Sequence, residues 1–169
     1  DHGREAGQER QDPATTAVIF GTETTIVANS HKSQCIAKGI ASTRIIAQPC
    51  SGLAAEIQSD AQGDPAKNLI ETYVGEAAGQ LPAGNGKVTV ALCCTHFGYC
   101  KTMFLNAFAD VGKKDVEIVN PNEKMADLLF VPSSENKFAA PAVTVKVVSQ
   151  ALVSPEEIRS IAALLEKES

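Results

Sequence analysis

The sequence has 169 residues, of which 44% are hydrophobic and 21% are charged, a composition typical of a globular protein and not of a disordered chain. The net charge of −5 argues against nucleic acid as the main partner, because phosphate binding needs a basic face. No apolar run approaches the ~20 residues of a membrane span, and residues 1–13 lack the apolar stretch of a signal peptide, so we expect a cytoplasmic protein with no membrane partner.

Short apolar runs alternate with helical patterns along the chain. The runs predict five strands, at residues 17–20, 44–47, 88–92, 116–119 and 143–148. Apolar spacing and capping residues predict the helices, at residues 22–38, 51–57, 66–80 and 99–111, and from Asn120 and Ser154 onwards. This alternation predicts an α/β fold, a flavodoxin-like parallel sheet with helices on both faces.

The last helix has the clearest start signal of the chain. Ser154 is a suitable N-cap, Pro155 takes the first helical position, and Glu157 takes the third. The apolar residues of this helix predict a buried stripe, formed by Ile158, Ile161, Ala162 and Leu165. For the whole chain we expect a polar arm or linker over residues 1–16, an α/β domain over 17–132, and a returning strand and helix over 133–169.

Five cysteines are too few and odd in number for a disulfide scaffold, so we expect free thiols in a reducing compartment. Two of them, Cys93 and Cys94, follow the strongest predicted strand. Ligands of open α/β sheets bind at the carboxyl ends of the strands, and a helix N-terminus after a cysteine lowers the pKa of its thiol. Cys94, with His96 two residues later, is therefore the candidate nucleophile or general base.

The alternative is that these cysteines have only a structural role, as buried side chains that pack in the core. Cysteine is among the most buried residue types, and we expect packing roles for Cys35, for Cys50 and for Cys93, which should face the core. A zinc site would have to use Cys93, Cys94, His96 and Cys100, but the usual C-x2-C pair is absent, and we expect no metal. The loops of cysteine phosphatases, serine hydrolases and nucleotide-binding proteins have no match in the sequence.

Residues 90–97, Val-Ala-Leu-Cys-Cys-Thr-His-Phe, resemble the second catalytic segment of glutamate racemase, a strand followed by Gly-Cys-Thr-His and an aromatic residue. In register with this segment, residues 21–26 are similar to the Gly-Thr-x-x-Thr turn of that family, and residues 47–53 to its Cys-Pro-containing loop. Residues 119–123 take the place of its Asp-Ser-Gly-Glu turn. The similarity covers residues 17 to about 165, and the Cys-Thr-His segment is its specific part. Cys93 stands where the family usually has Gly, and Gly98 where it has Pro.

The resemblance implies a racemase that needs no pyridoxal phosphate and no other cofactor. In that family two cysteines face opposite sides of the substrate Cα, one removing a proton and the other returning one. Carried over to this chain, Cys94 is one acid/base, His96 is its partner, and Thr95, Thr22 and Thr25 contact the substrate. The substrate implied is a small amino acid, foremost glutamate, converted to D-glutamate for peptidoglycan. Helix N-capping is an equally good interpretation of Thr22 and Thr25.

The first half of the family pattern, which supplies the other cysteine, has no match in this sequence. We therefore expect either a missing N-terminal half or a homo-oligomer, in which the strand at 143–148 and the last helix pair with another chain. Two alternatives stay open. One is a one-cysteine relative, a decarboxylase or an aspartate-type racemase, and the other is a non-catalytic α/β interaction module.

Overall fold

The computed structural model describes residues 15–83, 86–129 and 152–167. Four strands form one parallel sheet in the order β2-β1-β3-β4, with bounds β1 (Thr16–Gly21), β2 (Ile45–Pro49), β3 (Val88–Leu92) and β4 (Val116–Val119). The helices of the described residues are α1 (Glu23–Ala28), α2 (Ser30–Ala37), α3 (Leu53–Asp60), α4 (Asp64–Ala78), α5 (Lys101–Asp110), α6 (Pro121–Leu129) and α7 (Pro155–Lys167). The predicted flavodoxin-like α/β fold is confirmed. The predicted strand at 143–148 lies outside the described residues.

One face of the sheet carries the main core. Val18 in β1 pairs with Ile46 of β2 and with Val90 of β3, so the aliphatic side chains of three strands form one continuous surface. Helices α3, α4 and α5 cover this surface with buried apolar side chains. The rings of Phe20 and Phe104 pack with their centroids 5.0 Å apart. This packing fixes the ends of β1 and β3 beside each other.

The other face of the sheet is covered by shorter helices. Ile19 and Ile45 are buried, whereas neither α1 nor α2 contains a buried residue. Helix α1 approaches β1 closely at Gly21, where an added Cβ would lie 3.0 Å from the side chain of Thr25. Helices therefore flank both faces as predicted, but the two layers differ in how much apolar surface they bury.

The predicted helix at 22–38 is two helices. Asn29 ends α1 and precedes α2 with a φ of 54°, in the left-handed region, and its N–H donates to the Ile26 carbonyl. Asparagine tolerates this conformation better than other residues with a Cβ, so the chain turns here although the helical pattern continues. Gly39, predicted to follow the helix end, adopts a φ of 93°.

Helix α7 confirms its predicted start and contradicts its predicted burial. The Ser154 N–H donates to Glu157 Oε2 at 2.7 Å, and the Glu157 N–H donates to Ser154 Oγ at 3.1 Å, a reciprocal capping box. The expected burial is wrong for Ile158, which is 56% exposed, for Ile161, which is 41% exposed, and for exposed Ala162, whereas the side chain of Leu165 lies outside the described part of the chain. The helix contacts α3 through a polar pair, with Gln58 Nε2 donating to Glu157 Oε1 at 2.8 Å. Of the described helices, none has the length and apolar character needed to cross a membrane.

Candidate active site at the carboxyl edge of the sheet

The ends of three neighbouring strands meet at one edge. The Cys93 N–H donates to the Phe20 carbonyl at 2.8 Å, and the Cys50 N–H donates to the Gly21 carbonyl at 2.8 Å. The connections that follow β2 and β3 therefore flank the end of β1. Because the sheet is parallel, this is the edge at which ligands of open α/β sheets bind.

Cys94 and His96 lie next to each other at this edge. Cys94 is partly buried against the core, and its Sγ lies 3.8 Å from His96 Nδ1. A 3-10 turn (Phe97–Cys100) follows, so α5 begins only at Lys101 and the helix N-terminus is farther from Cys94 than the sequence predicts. The neighbour that distinguishes this thiol is therefore the imidazole, which can accept its proton or return one.

Two of the other cysteines are buried in the core, and Cys93 lies on the opposite face of the sheet. Burial raises the pKa of Cys50 to about 12 and the pKa of Cys100 to about 11, and Cys100 Sγ donates to the Ala61 carbonyl at 3.3 Å. Cys93 was expected in the core, but it is only partly buried and lies on the opposite face. Alternation along the strand explains the correction, because Leu92 takes the core-facing position. Burial, and next the charge of Cys35, raise the pKa of the Cys93 thiol.

A cleft of about 770 Å³ opens beside His96. Its polar wall comes from the connection after β3 and from the start of α6, and consists of Thr95, His96, Asn120, Asn122 and Glu123. Ile57 and Gln58 of α3 and Ile161 of α7 line the opposite side. The size and the mixture of apolar wall and converging polar groups suit a small polar ligand.

Side chains after β4 hold the Cys94 connection in place. Asn122 Nδ2 donates to the Thr95 carbonyl at 2.8 Å, and Asn120 Oδ1 accepts the N–H of Asn122 at 3.2 Å. Lys101 Nζ donates to Glu123 Oε1 at 2.9 Å, and this contact lowers the pKa of the Glu123 carboxyl. Sequence reasoning assigned Asn120 and Glu123 to a helix start and missed their place in the site. The available signal was that polar residues follow β4 at the same edge of the sheet.

Thr22 caps the first helix, and Thr25 in its first turn is the residue whose N–H is capped. Thr25 N–H donates to Thr22 Oγ1 at 3.3 Å, and the two hydroxyl oxygens lie 2.9 Å apart. N-capping, one of the two predicted roles, is thus observed. The cleft is lined from α3, α6, α7 and the connection after β3, and substrate contact by the two threonines stays a prediction.

Within residues 15–83, 86–129 and 152–167, no three His, Cys, Asp or Glu side chains lie close enough together to bind a metal ion. The proposed set is also divided, because Cys100 is buried in the core while Cys94 faces His96. In comparisons with known proteins, no family model matches the chain, and no curated protein or solved structure matches it either.

Proposed function

We propose that this chain supplies one of the two thiol acid/bases of a cofactor-independent amino-acid racemase. Cys94 is the acid/base, His96 is its proton partner, and glutamate is the foremost substrate, as the Cys-Thr-His segment implies. The observation that carries the proposal is the Cys94–His96 pair, 3.8 Å from Sγ to Nδ1, at the carboxyl edge of the sheet. His96 lines the cleft at this edge, whereas Cys94 itself does not. All five cysteines are unpaired, which supports a reducing, cytoplasmic setting.

The reaction needs a group that serves as base in one direction and as acid in the other. The thiolate of Cys94 removes the proton from the substrate Cα, so that the S–H bond forms as the C–H bond breaks and the electron pair delocalises into the substrate carboxylate. An acid on the opposite side of Cα then donates a proton to carbon and gives the enantiomer. A thiol suits both roles because its ordinary pKa is close to neutrality. His96 then accepts the proton from Cys94 and releases it to solvent, and the opposite acid takes a proton from solvent, so that both groups return to their starting states.

The second acid/base has to come from outside this edge. Of the other thiols here, Cys93 lies on the opposite face of the sheet, where burial raises its pKa. Cys50 is 2% exposed and its pKa is raised to about 12, so it stays protonated and out of reach of a substrate. A racemase built on Cys94 therefore takes its second thiol from a companion domain or from a second copy of the chain. Thr95, exposed on the wall of the cleft, is placed to contact the substrate.

Exchange of the Cα proton in D2O tests this proposal without needing the second thiol. The chain is incubated separately with L-glutamate and D-glutamate, and the loss of the Cα proton signal is followed by NMR. We expect exchange in one enantiomer, because one thiolate reaches one side of Cα. Cys94→Ser should abolish the exchange, whereas Cys35→Ser, at a partly buried thiol on α2, should leave it unchanged.

The other outcomes identify the alternatives. Exchange that persists in Cys94→Ser contradicts the assignment of the base. Exchange with aspartate alone, or release of CO2 from a substituted malonate that depends on Cys94, favours the aspartate-type or one-cysteine relative. A folded chain that exchanges none of these substrates is better described as an interaction module.

A further inference from the structure

We infer that Asn122 is a positioning residue that sets the geometry of the Cys94–His96 pair. This inference rests on the proposed function, in which that pair moves the proton. Thr95 lies between the two residues of the pair, and its carbonyl accepts a hydrogen bond of 2.8 Å from Asn122 Nδ2. Fixing this carbonyl fixes the peptide plane from which the chain continues to His96. The distance between the thiol and the imidazole is thereby tied to a side chain 27 residues away.

Two sets of contacts hold Asn122 in place. Its N–H donates to Asn120 Oδ1 at 3.2 Å, and the Asn120 side chain is 9% exposed and packs directly on Gly98. The Lys101–Glu123 ion pair, 2.9 Å from Nζ to Oε1, also joins the first turns of α5 and α6. These contacts fix the start of α6 against the β3–α5 connection. The hydrogen bond from Asn122 in turn fixes the Thr95 carbonyl.

The chemistry of the amide makes the role testable. Asn122 lies in the first turn of α6, where an acidic residue stabilises a helix through the helix dipole. Asn122→Asp keeps the size of the side chain and suits the helix start, but its carboxylate cannot donate to the Thr95 carbonyl. A merely structural Asn122 would tolerate this change, whereas a positioning Asn122 would not. Asn122→Ser, which is neutral and too short to reach, separates the lost donor from the added charge.

The experiment is a double-mutant cycle on the alkylation rate of Cys94, measured with iodoacetamide and peptide mapping. The proteins are the parent, His96→Asn, Asn122→Asp, Asn122→Ser, and each Asn122 variant combined with His96→Asn. We expect each single substitution to slow alkylation of Cys94 at least about threefold, the scale of one lost hydrogen bond. In both Asn122 backgrounds, His96→Asn should then have almost no further effect. Asn122→Gln, which keeps the donor, should restore at least about half of the parental rate.

Asn68→Asp is the matched control, since it makes the same change of charge on an exposed position of α4. It should leave the rate unchanged, and urea unfolding should show that all variants are folded. If His96→Asn retains its full effect in the Asn122 variants, the positioning role is overturned and the proposed function stands. If His96→Asn does not change the parental rate, the Cys94–His96 pair fails, and the proposed function and this inference fail with it.

Discussion

Cys50 and Cys94 follow the two strands that flank β1, yet the fold gives the two thiols different surroundings. Cys50 is 2% exposed, its Sγ donates to the Gln48 carbonyl at 3.6 Å, and burial raises its pKa to about 12. Cys94 is partly buried and lies 3.8 Å from an imidazole nitrogen. Position at the end of a parallel strand therefore does not make a thiol reactive. The residues that come next along the chain decide it.

The two connections differ in how deeply their residues are buried. After Cys50 the chain enters α3 almost at once, and the fully buried Leu53 and Ile57 draw the connection into the core. After Cys94 the chain passes exposed Thr95 before Phe97 returns to the core, and Asn122 braces the interval. Each connection also has a side-chain hydrogen bond to a backbone carbonyl, since Tyr73 Oη donates to the Ser51 carbonyl at 2.7 Å. The connections differ in the residues that follow the thiol, which are fully buried at Leu53 and exposed at Thr95. We therefore expect substitutions to affect stability mainly in the first and reactivity mainly in the second.

The largest expected effect is on alkylation rates in the folded protein. A thiol with a pKa of about 12 is ionised in about one molecule in 10,000 at pH 8, and only the thiolate reacts. We expect iodoacetamide to modify Cys94 at least about 1000-fold faster than Cys50, as measured by peptide mapping over time. Equal labelling after unfolding in urea is the control. Faster labelling of Cys50 or Cys35 than of Cys94 would contradict the predicted difference in thiol reactivity.

The second effect is on stability. Leu53→Ala removes a fully buried side chain from the connection after β2 and should lower the free energy of unfolding by about 2–5 kcal/mol. Thr95→Ala, at an exposed position of the connection after β3, should change it by less than about 0.5 kcal/mol. Urea denaturation of both variants measures the difference. Similar losses in the two variants would show that the connections are not anchored as described.

The third effect is a dependence on pH. The pKa of Cys50 rises from 9.0 to about 12 on folding, so its contribution to stability is complete below pH 9 and is lost as the pH rises towards 12. Between pH 9 and pH 11 the free energy of unfolding should fall more steeply in the parent than in Cys50→Ala, by up to about 1.4 kcal/mol per pH unit. Below pH 8 the two proteins should differ by a constant. Parallel curves above pH 9 would mean that Cys50 is less buried than the structure shows.

The smallest effect concerns the ion pair beside the Cys94 connection. The side chains of Lys101 and Glu123 are 38% and 53% exposed, so solvent screens their interaction, and Glu123→Gln should cost less than about 1 kcal/mol at pH 7. Because the ion pair lowers the pKa of Glu123, its contribution is present above the ordinary carboxyl pKa and is lost as the pH falls through the lowered value. Urea unfolding with and without 1 M salt checks this. A larger loss of unfolding free energy that salt does not reduce would show that the ion pair is less accessible to solvent than the structure indicates.

Much of the fold was predictable because local patterns determine it. Short runs rich in apolar residues located β1, β3 and β4, and the capping residues located the start of α7. The break at Asn29 was missed because the helical pattern continues through it, and only the left-handed backbone reveals the turn. The burial of the α7 stripe was mispredicted, since amphipathic spacing shows which side of a helix is apolar and not whether another element covers it.

The candidate site was only half predictable. Cys94, Thr95 and His96 are adjacent in sequence, so a motif could identify them together. The hydrogen bond from Asn122 to Thr95 joins residues that only the pairing of β3 with β4 brings together. The orientation of Cys93 was mispredicted for a different reason. Successive side chains along a strand point to opposite faces of the sheet, so an error of one residue in the predicted register reverses the predicted face.

The contact between Gly98 and Asn120 also constrains how this sequence can change. An added Cβ at position 98 would lie 2.7 Å from Asn120 Nδ2 and 2.8 Å from its Oδ1, closer than real contacts allow. The two positions are therefore epistatic: a methyl group enters at 98 only when the residue at 120 becomes shorter. Serine at 120 would still cap α6, which makes Gly98→Ala with Asn120→Ser the pair that selection from a random library should recover together, and seldom singly.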